Sequence, residues 1–258
     1  MNVTIENPIR VAIAGARGKT GSVVALALRH APGIELVGKL VRPNGALEHD
    51  EYSDFAKLAS DRKPAVLVDF TVFPASKALA LQALQYGIRA VIGTSGYTSD
   101  DLEELRAASA KAKIGIVYAP NFSIGAILLM QFAKAAAPYF THAEIIETHA
   151  AAKKDAPSGT ALATAQLIAK SGHPTRKPSA IVRAEGARGA DVEGVGIHSI
   201  RIPGAIAGQD VLFANEDEML VIRHITSTRT AFVAGVIKAV HLAATLDHFV
   251  EGVSDVQR

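Results

Sequence analysis

Short, continuously apolar segments alternate with helix-like segments over residues 9–120, and this alternation restricts the possible folds more than any other pattern in the chain. A strand that is apolar along its whole length is buried on both faces, as in a parallel sheet covered by helices. We therefore predict an N-terminal α/β domain with a doubly wound parallel sheet. The predicted strands are Ile9–Ala14, Ile34–Leu40, Ala65–Phe70, Ala90–Gly93 and Ile114–Tyr118, and the predicted helices lie near Ser22–His30, Asp54–Ser60, Ala75–Tyr86 and Ser99–Ala112.

The pattern changes after residue 120, where several strand-like segments follow one another without long helices between them. Such a succession predicts a mixed or antiparallel sheet, and hence a second domain of the α+β class. The tail, Asp247–Arg258, is polar. The predicted helices are Ser123–Ala137, Ser158–Ser171 and Thr230–Leu246, and the predicted strands are Ala143–His149, Ser179–Ala184, Val195–Ile202, Ile206–Phe213 and Met219–Thr226.

The composition excludes several classes of protein. Of the 258 residues, 49% are hydrophobic and 20% are charged, which fits a globular protein with a sizeable core. The net charge of +2 and the scattered basic residues predict no contact with nucleic acid. The absence of cysteine excludes disulfides and thiolate metal sites, and the histidine spacing predicts no metal site. Because no signal-peptide pattern and no apolar run of about 18 residues is present, we expect a cytoplasmic protein without a membrane partner.

A glycine-rich turn follows the first predicted strand and precedes the first predicted helix. Such a turn lets the pyrophosphate of a dinucleotide approach backbone N–H groups at the start of a helix. The spacing is GxxGxxG rather than the more common GxGxxG, and a tight turn selected for packing is the alternative interpretation. The position favours a Rossmann-like dinucleotide site, whose predicted residues are Gly15, Ala16, Arg17, Gly18, Lys19 and Thr20.

The end of the second predicted strand bears on the choice of cofactor. A carboxylate there would bind the ribose 2′-hydroxyl of NADH, but this sequence has Val41 followed by Arg42. A guanidinium can bind a 2′-phosphate through two parallel charged hydrogen bonds. We therefore predict that Arg42 contacts the cofactor and that NADPH is preferred over NADH; the alternative is that Arg42 is a solvated loop residue.

Residues 144–166 concentrate the groups that a proton-transfer site needs. The segment contains His149 and Lys153, followed by the helix-start sequence Asp155-Ala156-Pro157-Ser158-Gly159-Thr160. The N-terminus of a helix can bind an anion, and a nearby histidine or lysine can donate a proton to a substrate held there. An ordinary capped helix after a polar loop is the alternative interpretation.

The same segment resembles the signature of the dihydrodipicolinate reductase family, a bacterial family of the lysine pathway, whose pattern is E-x-H-H-x-x-K-x-D-A-P-S-G-T-A. Glu147, His149, Lys153 and the run from Asp155 to Ala161 match in place. Ala150 stands where the pattern has its second histidine. The resemblance implies reduction of hydroxytetrahydrodipicolinate to tetrahydrodipicolinate by NADPH or NADH, with loss of water.

The resemblance also implies roles for individual residues in substrate binding and catalysis. His149 is the expected general acid, and Lys153 is expected to supply a compensating charge and a hydrogen bond. One carboxylate of the substrate is expected on the backbone of Ser158, Gly159 and Thr160. Arg229, in a matching S-x-R-x-x-F segment, is expected either to approach a substrate carboxylate or close the cleft, or to be a surface ion-pair partner.

Three further segments resemble family segments that line the nicotinamide and its ribose. Each follows a predicted strand, and each would be an ordinary turn if it stood alone. Phe122 is expected to pack against the nicotinamide ring. The expected cofactor-binding residues in these segments are Phe70, Gly93, Thr94, Ser95, Ala119, Pro120, Asn121 and Phe122.

The resemblance further implies how the chain is divided and assembled. Residues 1–121 and 230–258 are expected to form the dinucleotide-binding domain, because the last helix of the family returns to the first domain. Residues 122–229 are expected to form the substrate-binding and oligomerisation domain, with a homotetramer built by its sheets.

Two other functions remain open from the sequence. In the family the second histidine helps to hold a substrate carboxylate, and Ala150 cannot make that charge-assisted hydrogen bond, which is worth about 1.5–3 kcal/mol. Either Lys154 compensates for the loss, or the substrate differs from that of the family. The first alternative is a related NAD(P)H oxidoreductase that acts on another amino or imino acid. The second is a non-catalytic NADPH-binding protein, although His149 and Lys153 are both retained.

Overall fold

The structure is a computed structural model that describes residues 7–43, 45–172, 174–176 and 181–252. The chain forms two compact units, each with its own sheet. The first unit comprises Met1–Phe122 and Phe232–Arg258, and the second comprises Ser123–Ala231. Among the described residues, no helix is long and apolar enough to cross a membrane.

The sheet of the first unit is parallel throughout. Its strand order is β12-β6-β5-β4-β1-β2-β3. Strands β2 and β3 follow on one side of β1, whereas β4, β5 and β6 follow on the other side, so the order of strands reverses between β1 and β4. Open sheets of this kind bind ligands at that switch point, beyond the carboxyl ends of the strands. The predicted doubly wound parallel sheet is therefore confirmed. The strands are β1 (Ile9–Ala14), β2 (Ile34–Leu40), β3 (Glu51–Tyr52), β4 (Val66–Asp69), β5 (Arg89–Ile92), β6 (Ile116–Tyr118) and β12 (Phe249–Glu251).

Five helices accompany this sheet in the described residues, and local capping explains where two of them begin. The Asp54 carboxylate accepts a hydrogen bond from the Lys57 N–H, which caps α2. Thr98 and Asp101 form a reciprocal capping box at the start of α4. The helices are α1 (Gly21–Leu28), α2 (Phe55–Arg62), α3 (Ala75–Gln85), α4 (Ser99–Ala112) and α7 (Val233–Thr245).

The second unit has a mixed five-stranded sheet, as predicted, with strand order β11-β10-β7-β9-β8. The β7–β9 pair is parallel and the other pairs are antiparallel. Helices α5 (Ile124–Ala136) and α6 (Gly159–Gly172) pack on one face of the sheet, over a core that includes Ile145, Ile168 and Phe213. The strands are β7 (His142–Ala150), β8 (Ala190–Val192), β9 (Val195–Ile202), β10 (Ala207–Ala214) and β11 (Met219–Thr226).

The structure differs from the predicted local structure at one predicted strand, three short strands and one helix start. Of the strand predicted at Ser179–Ala184, residues 179 and 180 lie outside the described part of the chain, and residues 181–184 form no strand. The short strands β3, β8 and β12 were not predicted, because two or three residues carry too little periodicity. β12 lies in the polar tail, where burial of Phe249 and pairing with β6 stabilise it. The helix predicted from Thr230 begins at Val233, after a 3₁₀ turn at Arg229–Phe232.

Candidate active site

The glycine turn after β1 is held so closely that larger residues would not fit. Gly15 has a φ of +76°, and its N–H donates to the Leu40 carbonyl at the end of β2 over 3.0 Å. A Cβ atom on Gly15 would lie 2.5 Å from the Phe70 carbonyl oxygen, and one on Gly21 would lie 2.1 Å from the Gly15 oxygen. The turn therefore brings the N-terminus of α1 against the ends of β1, β2 and β4, at the switch point of the sheet.

Arg17, predicted to contact a phosphate, is bound to a carboxylate of its own chain. Its Nε and Nη2 atoms lie 3.1 and 2.5 Å from the two carboxylate oxygens of Glu51 on β3. The hydrogen bond from Arg17 outweighs burial and brings the pKa of Glu51 down to about 2. Lys19 and Arg42 are exposed near the same turn. Glu51 could not be recognised from local sequence patterns, because the ion pair joins residues 34 positions apart.

The predicted cofactor residues after β4, β5 and β6 meet at the carboxyl edge of this sheet, since the three strands end in register. The Phe70 and Phe122 rings make an edge contact with their centroids 5.8 Å apart. Phe122 is only 2% exposed, so its ring supports the partly exposed Phe70 instead of presenting a free face. A Cβ atom on Gly93 would lie within 3 Å of both rings, which explains why glycine is needed there. Of the other residues, Thr94 and Ala119 are buried, Asn121 is half-buried, and Ser95 and Pro120 are exposed.

Asp69, at the end of β4, holds the turn at this edge through hydrogen bonds to its carboxylate. Its buried carboxylate accepts hydrogen bonds from the Thr71 N–H over 2.8 Å and from the Ser76 hydroxyl. The Tyr97 hydroxyl lies 2.7 Å from that of Ser76. Burial raises the pKa of Asp69. Asp69 therefore fixes the turn that follows it.

In the second unit, His149 is oriented by a buried carboxylate. Its Nδ1 atom makes a short hydrogen bond to Oε2 of Glu147, whose side chain is 0% exposed. Arg201 lies opposite His149 in the β7–β9 register and binds both oxygens of Glu147, over 2.9 and 2.8 Å. Because residues two apart on a strand share a face, Glu147 and His149 both point toward the helices.

The charge of Glu147 is stabilised from several sides. Burial alone raises the pKa of this carboxyl, but hydrogen bonds from His149, Arg201 and Ser199 outweigh it and bring the pKa to about 2. The Ser158 N–H also points at Oε1, over 3.3 Å. Glu147 is therefore ionised at neutral pH and holds the imidazole ring in one orientation.

The loop between β7 and α6 brings the other predicted substrate residues beside this cluster. Ser158 caps α6, since its Oγ accepts from the Ala161 N–H over 3.2 Å. Gly159 is exposed in the first turn of the helix, and Thr160 is partly buried. The Lys153 ammonium contacts both oxygens of Asp155, at 2.8 and 2.9 Å. The Ser158 N–H, predicted to bind a substrate carboxylate, is thus already engaged by Glu147.

Arg201 was not predicted as a site residue. One signal was present, since the alternation of β9 places Arg201 on the same face as the buried Ile197. Its contact with Glu147 spans 54 positions and depends on strand pairing. Arg229 lies in the 3₁₀ turn that precedes α7 and is partly exposed. Within the described residues, no group of three or more His, Asp or Glu side chains could hold a metal ion.

A doubly wound sheet with a glycine turn at its switch point, joined to a mixed-sheet unit that carries an oriented histidine, is typical of two-domain dinucleotide-dependent oxidoreductases. The family model "Dihydrodipicolinate reductase, N-terminus" matches residues 9–122, and "Dihydrodipicolinate reductase, C-terminus" matches residues 125–256. The chain therefore belongs to the dihydrodipicolinate reductase family, which confirms the resemblance drawn from residues 144–166.

Individual relatives agree with this assignment. The chain is 41% identical to 4-hydroxy-tetrahydrodipicolinate reductase of Geobacillus kaustophilus, over 96% of this chain and 98% of the relative. It is 39% identical to the Bacillus pumilus protein of the same name, over 96% and 97%. A solved structure described as dipicolinate-bound dihydrodipicolinate reductase from Paenisporosarcina sp. TG-14 superposes with a TM-score of 0.83 at 36% identity, covering 97% of this chain and all of the other.

Proposed function

We propose that this protein is an NAD(P)H-dependent 4-hydroxy-tetrahydrodipicolinate reductase, which forms tetrahydrodipicolinate with loss of water in diaminopimelate and lysine biosynthesis. The observation that carries the proposal is the Glu147–His149–Arg201 cluster beside the start of α6, in a chain of this family. Dipicolinate, to which the Paenisporosarcina reductase is bound, is a ring with two carboxylates like the proposed substrate. We also propose a cytoplasmic location, since the chain has no cysteine and its relatives are biosynthetic enzymes.

The cofactor proposal follows from the geometry of the glycine turn. Gly15 and Gly21 let the turn pack directly against neighbouring backbone, with no space for a Cβ atom, and so bring the N-terminus of α1 to the ends of the strands. This arrangement fits a pyrophosphate held by the backbone N–H groups between Gly15 and Thr20. At the carboxyl edge of the sheet, Phe70 and Thr94, with their neighbours after β5 and β6, would hold the nicotinamide and its ribose. When bound, the dinucleotide supplies the hydride.

His149 is the proposed general acid. Its Nδ1 is bonded to Glu147, so Nε2 is the ring nitrogen left to deliver a proton. A positioned side chain that transfers a proton in the transition state accelerates a reaction by about 10²–10⁴-fold. His149 would protonate the conjugated system as the hydride arrives, with Glu147 stabilising the charged ring.

The substrate carboxylates are assigned to the start of α6 and to Lys153. The backbone N–H groups of Gly159 and Thr160 lie in the first turn of α6, at the positive end of the helix dipole, which favours an anion. Ser158 acts by fixing this turn through its cap and through its contact with Glu147. Lys153 would exchange its present partner, Asp155, for a carboxylate of the substrate.

The direct test is the loss of NADPH absorbance in the presence of substrate, generated from pyruvate and aspartate semialdehyde by the preceding synthase. We expect NADPH oxidation that stops when either precursor is omitted. Measurable NADPH binding without oxidation would overturn the proposal. Turnover of another cyclic imino acid would then favour a related oxidoreductase, and no turnover would favour a binding protein.

Cofactor preference is tested at Arg42. If its guanidinium binds the 2′-phosphate, Arg42→Ala should lower the NADPH-to-NADH ratio of kcat/KM by about tenfold, the value of one charge-assisted hydrogen bond. Lys111→Ala, which removes an exposed charge on α4, is the control and should leave the ratio unchanged. Equal preference in wild type and Arg42→Ala would contradict the assignment.

The assembly proposal is a homotetramer built on the face of the second sheet opposite α5 and α6. Exposed apolar patches of this kind mark protein interfaces, and an identical face on a second copy is a self-complementary partner. The side chains that give this face its apolar character are Ile200, Ile202, Met219, Val221 and Ile225, which are 40%, 46%, 65%, 44% and 65% exposed.

Ile225→Glu should break this assembly, because it places a charge in an apolar contact. Light scattering after size exclusion is expected to give the mass of four chains for wild type and a smaller mass for the variant. Leu26→Glu, an equally exposed position on α1, should remain tetrameric. A monomeric wild type, or an Ile225→Glu variant that stays tetrameric, would refute the proposed interface.

A further inference from the structure

Glu51 reaches the corner of the sheet where the glycine turn meets β2. In the β2–β3 register Glu51 lies opposite Lys39, one residue before β2 ends at Leu40. The Leu40 carbonyl accepts the Gly15 N–H, so the turn begins at the same point. In doubly wound dinucleotide-binding sheets, the end of this strand is where the adenosine ribose is recognised. A carboxylate is therefore present at the ribose corner, although it comes from β3 and not from the end of β2.

The main partner of this carboxylate is Arg17, and the Lys39 ammonium lies 3.5 Å from its Oε1 atom. Glu51 is only 3% exposed on its side chain, and it accepts hydrogen bonds from Arg17 and from the Glu48 N–H over 3.0 Å. Arg17 keeps 37% of its side chain exposed, so the guanidinium lies at the surface of the corner with its charge balanced by Glu51. The nearby Lys39 ammonium is balanced in the same way, 2.6 Å from Glu48 and 3.0 Å from Asp50.

The balance of charge at this corner affects the two forms of the cofactor differently. A phosphate monoester carries a charge of about −1.5 to −2 at neutral pH, whereas a ribose 2′-hydroxyl is neutral and can donate to a carboxylate. A guanidinium already paired with a carboxylate attracts a phosphate less than an unpaired one does, and the carboxylate itself repels it. In the part of the chain that the structure describes, Arg42 is exposed and is not among the residues paired with Glu48, Asp50 or Glu51.

We propose that Glu51 determines cofactor selectivity: by pairing with Arg17 it weakens the pull on a 2′-phosphate, so that the preference for NADPH set by Arg42 stays small and NADH is also accepted. This inference rests on the proposed binding of a dinucleotide at the glycine turn. Glu51 acts partly through Arg17, and its role is therefore one of specificity and not of catalysis.

The test is the ratio of the Kd values for NADH and NADPH, measured by calorimetric titration of the full chain without substrate. Glu51→Gln should raise the preference for NADPH by about tenfold, because one negative charge is removed beside the 2′-phosphate. Glu35→Gln is the matched control. It breaks an Arg10–Glu35 ion pair of 2.9 Å near the N-terminal ends of β1 and β2. Because the glycine turn lies at the other end of these strands, the ratio should stay unchanged.

A second variant keeps the inference testable if Glu51→Gln does not fold. Arg17→Gln leaves the Glu51 carboxylate without its guanidinium partner, so it should lower the NADPH preference by about tenfold, because the corner becomes more negative by one charge. In a folded Glu51→Gln background the two changes should nearly cancel, and the ratio should return close to that of wild type. An unchanged ratio in Glu51→Gln, or an unchanged ratio in Arg17→Gln, would overturn the inference. If wild type binds neither dinucleotide, the proposed function fails and the inference with it.

Discussion

Replacing His149 by alanine is expected to lower kcat/KM for 4-hydroxy-tetrahydrodipicolinate by about 10²–10⁴-fold, the usual contribution of a positioned general acid. The Kd for NADPH should not change, because His149 lies in the second unit and the glycine turn lies in the first. Steady-state rates and calorimetric titration of the same preparations measure the two quantities.

His241→Gln is the matched control for this variant. His241 is exposed on α7, and its replacement should leave both kcat/KM and the Kd for NADPH unchanged. A His149→Ala variant that keeps more than about a tenth of the wild-type kcat/KM would contradict the general-acid role, since the acid would then contribute far less than is typical.

Glu147→Gln should lower the free energy of unfolding more than any other substitution proposed for this protein. The substitution leaves Arg201 facing a neutral amide at a buried position, and breaking a buried ion pair costs about 3 kcal/mol or more. The same variant should lose activity, because His149 is no longer held by a carboxylate. Urea unfolding at neutral pH measures the change in free energy. Glu35→Gln breaks an exposed Arg–Glu pair and should cost less than about 1 kcal/mol.

The pH dependence of this loss has a definite sign. The pKa of Glu147 is about 2 in the folded protein, below the value near 4.3 of an unfolded glutamate. A carboxyl whose pKa is lowered by folding stabilises the protein above its unfolded pKa, and this contribution disappears as the pH falls through the folded pKa. The free-energy difference between wild type and Glu147→Gln should therefore shrink between about pH 4.3 and 2. A difference that is constant over this range would show that the carboxylate charge is not what stabilises the cluster.

The local pattern of the sequence was sufficient to predict the long strands. The predicted limits of β1, β2, β9 and β11 agree with the structure, because each is a run of six or more residues with its own apolar pattern. β3 and β12 could not be predicted, since they are two- and three-residue strands that exist only through pairing with β2 and β6. Their stability comes from partners that are distant in sequence.

The same limit applies to the candidate site. His149 and Lys153 were accessible to prediction because they belong to one continuous segment. Arg201 joins them only through the β7–β9 register, and Glu51 reaches Arg17 only through the β2–β3 register. The environment of Phe122 likewise depends on the packing of Phe70 across the sheet edge. The charge partners of Arg17 and Arg201, and the exposure of the Phe122 ring, could therefore be known only from the folded structure.

The most direct test of the central claim is the transfer of deuterium from NADPH labelled at the nicotinamide C4 to the product of the wild-type enzyme. Substrate loses water, and the reduced product gains one hydride from the cofactor and one proton from the protein. Mass spectrometry is expected to find one deuterium in tetrahydrodipicolinate for each NADPH oxidised, when the transferable position is labelled. Oxidation of NADPH without deuterium in this product, or no NADPH-dependent formation of it, would contradict the account.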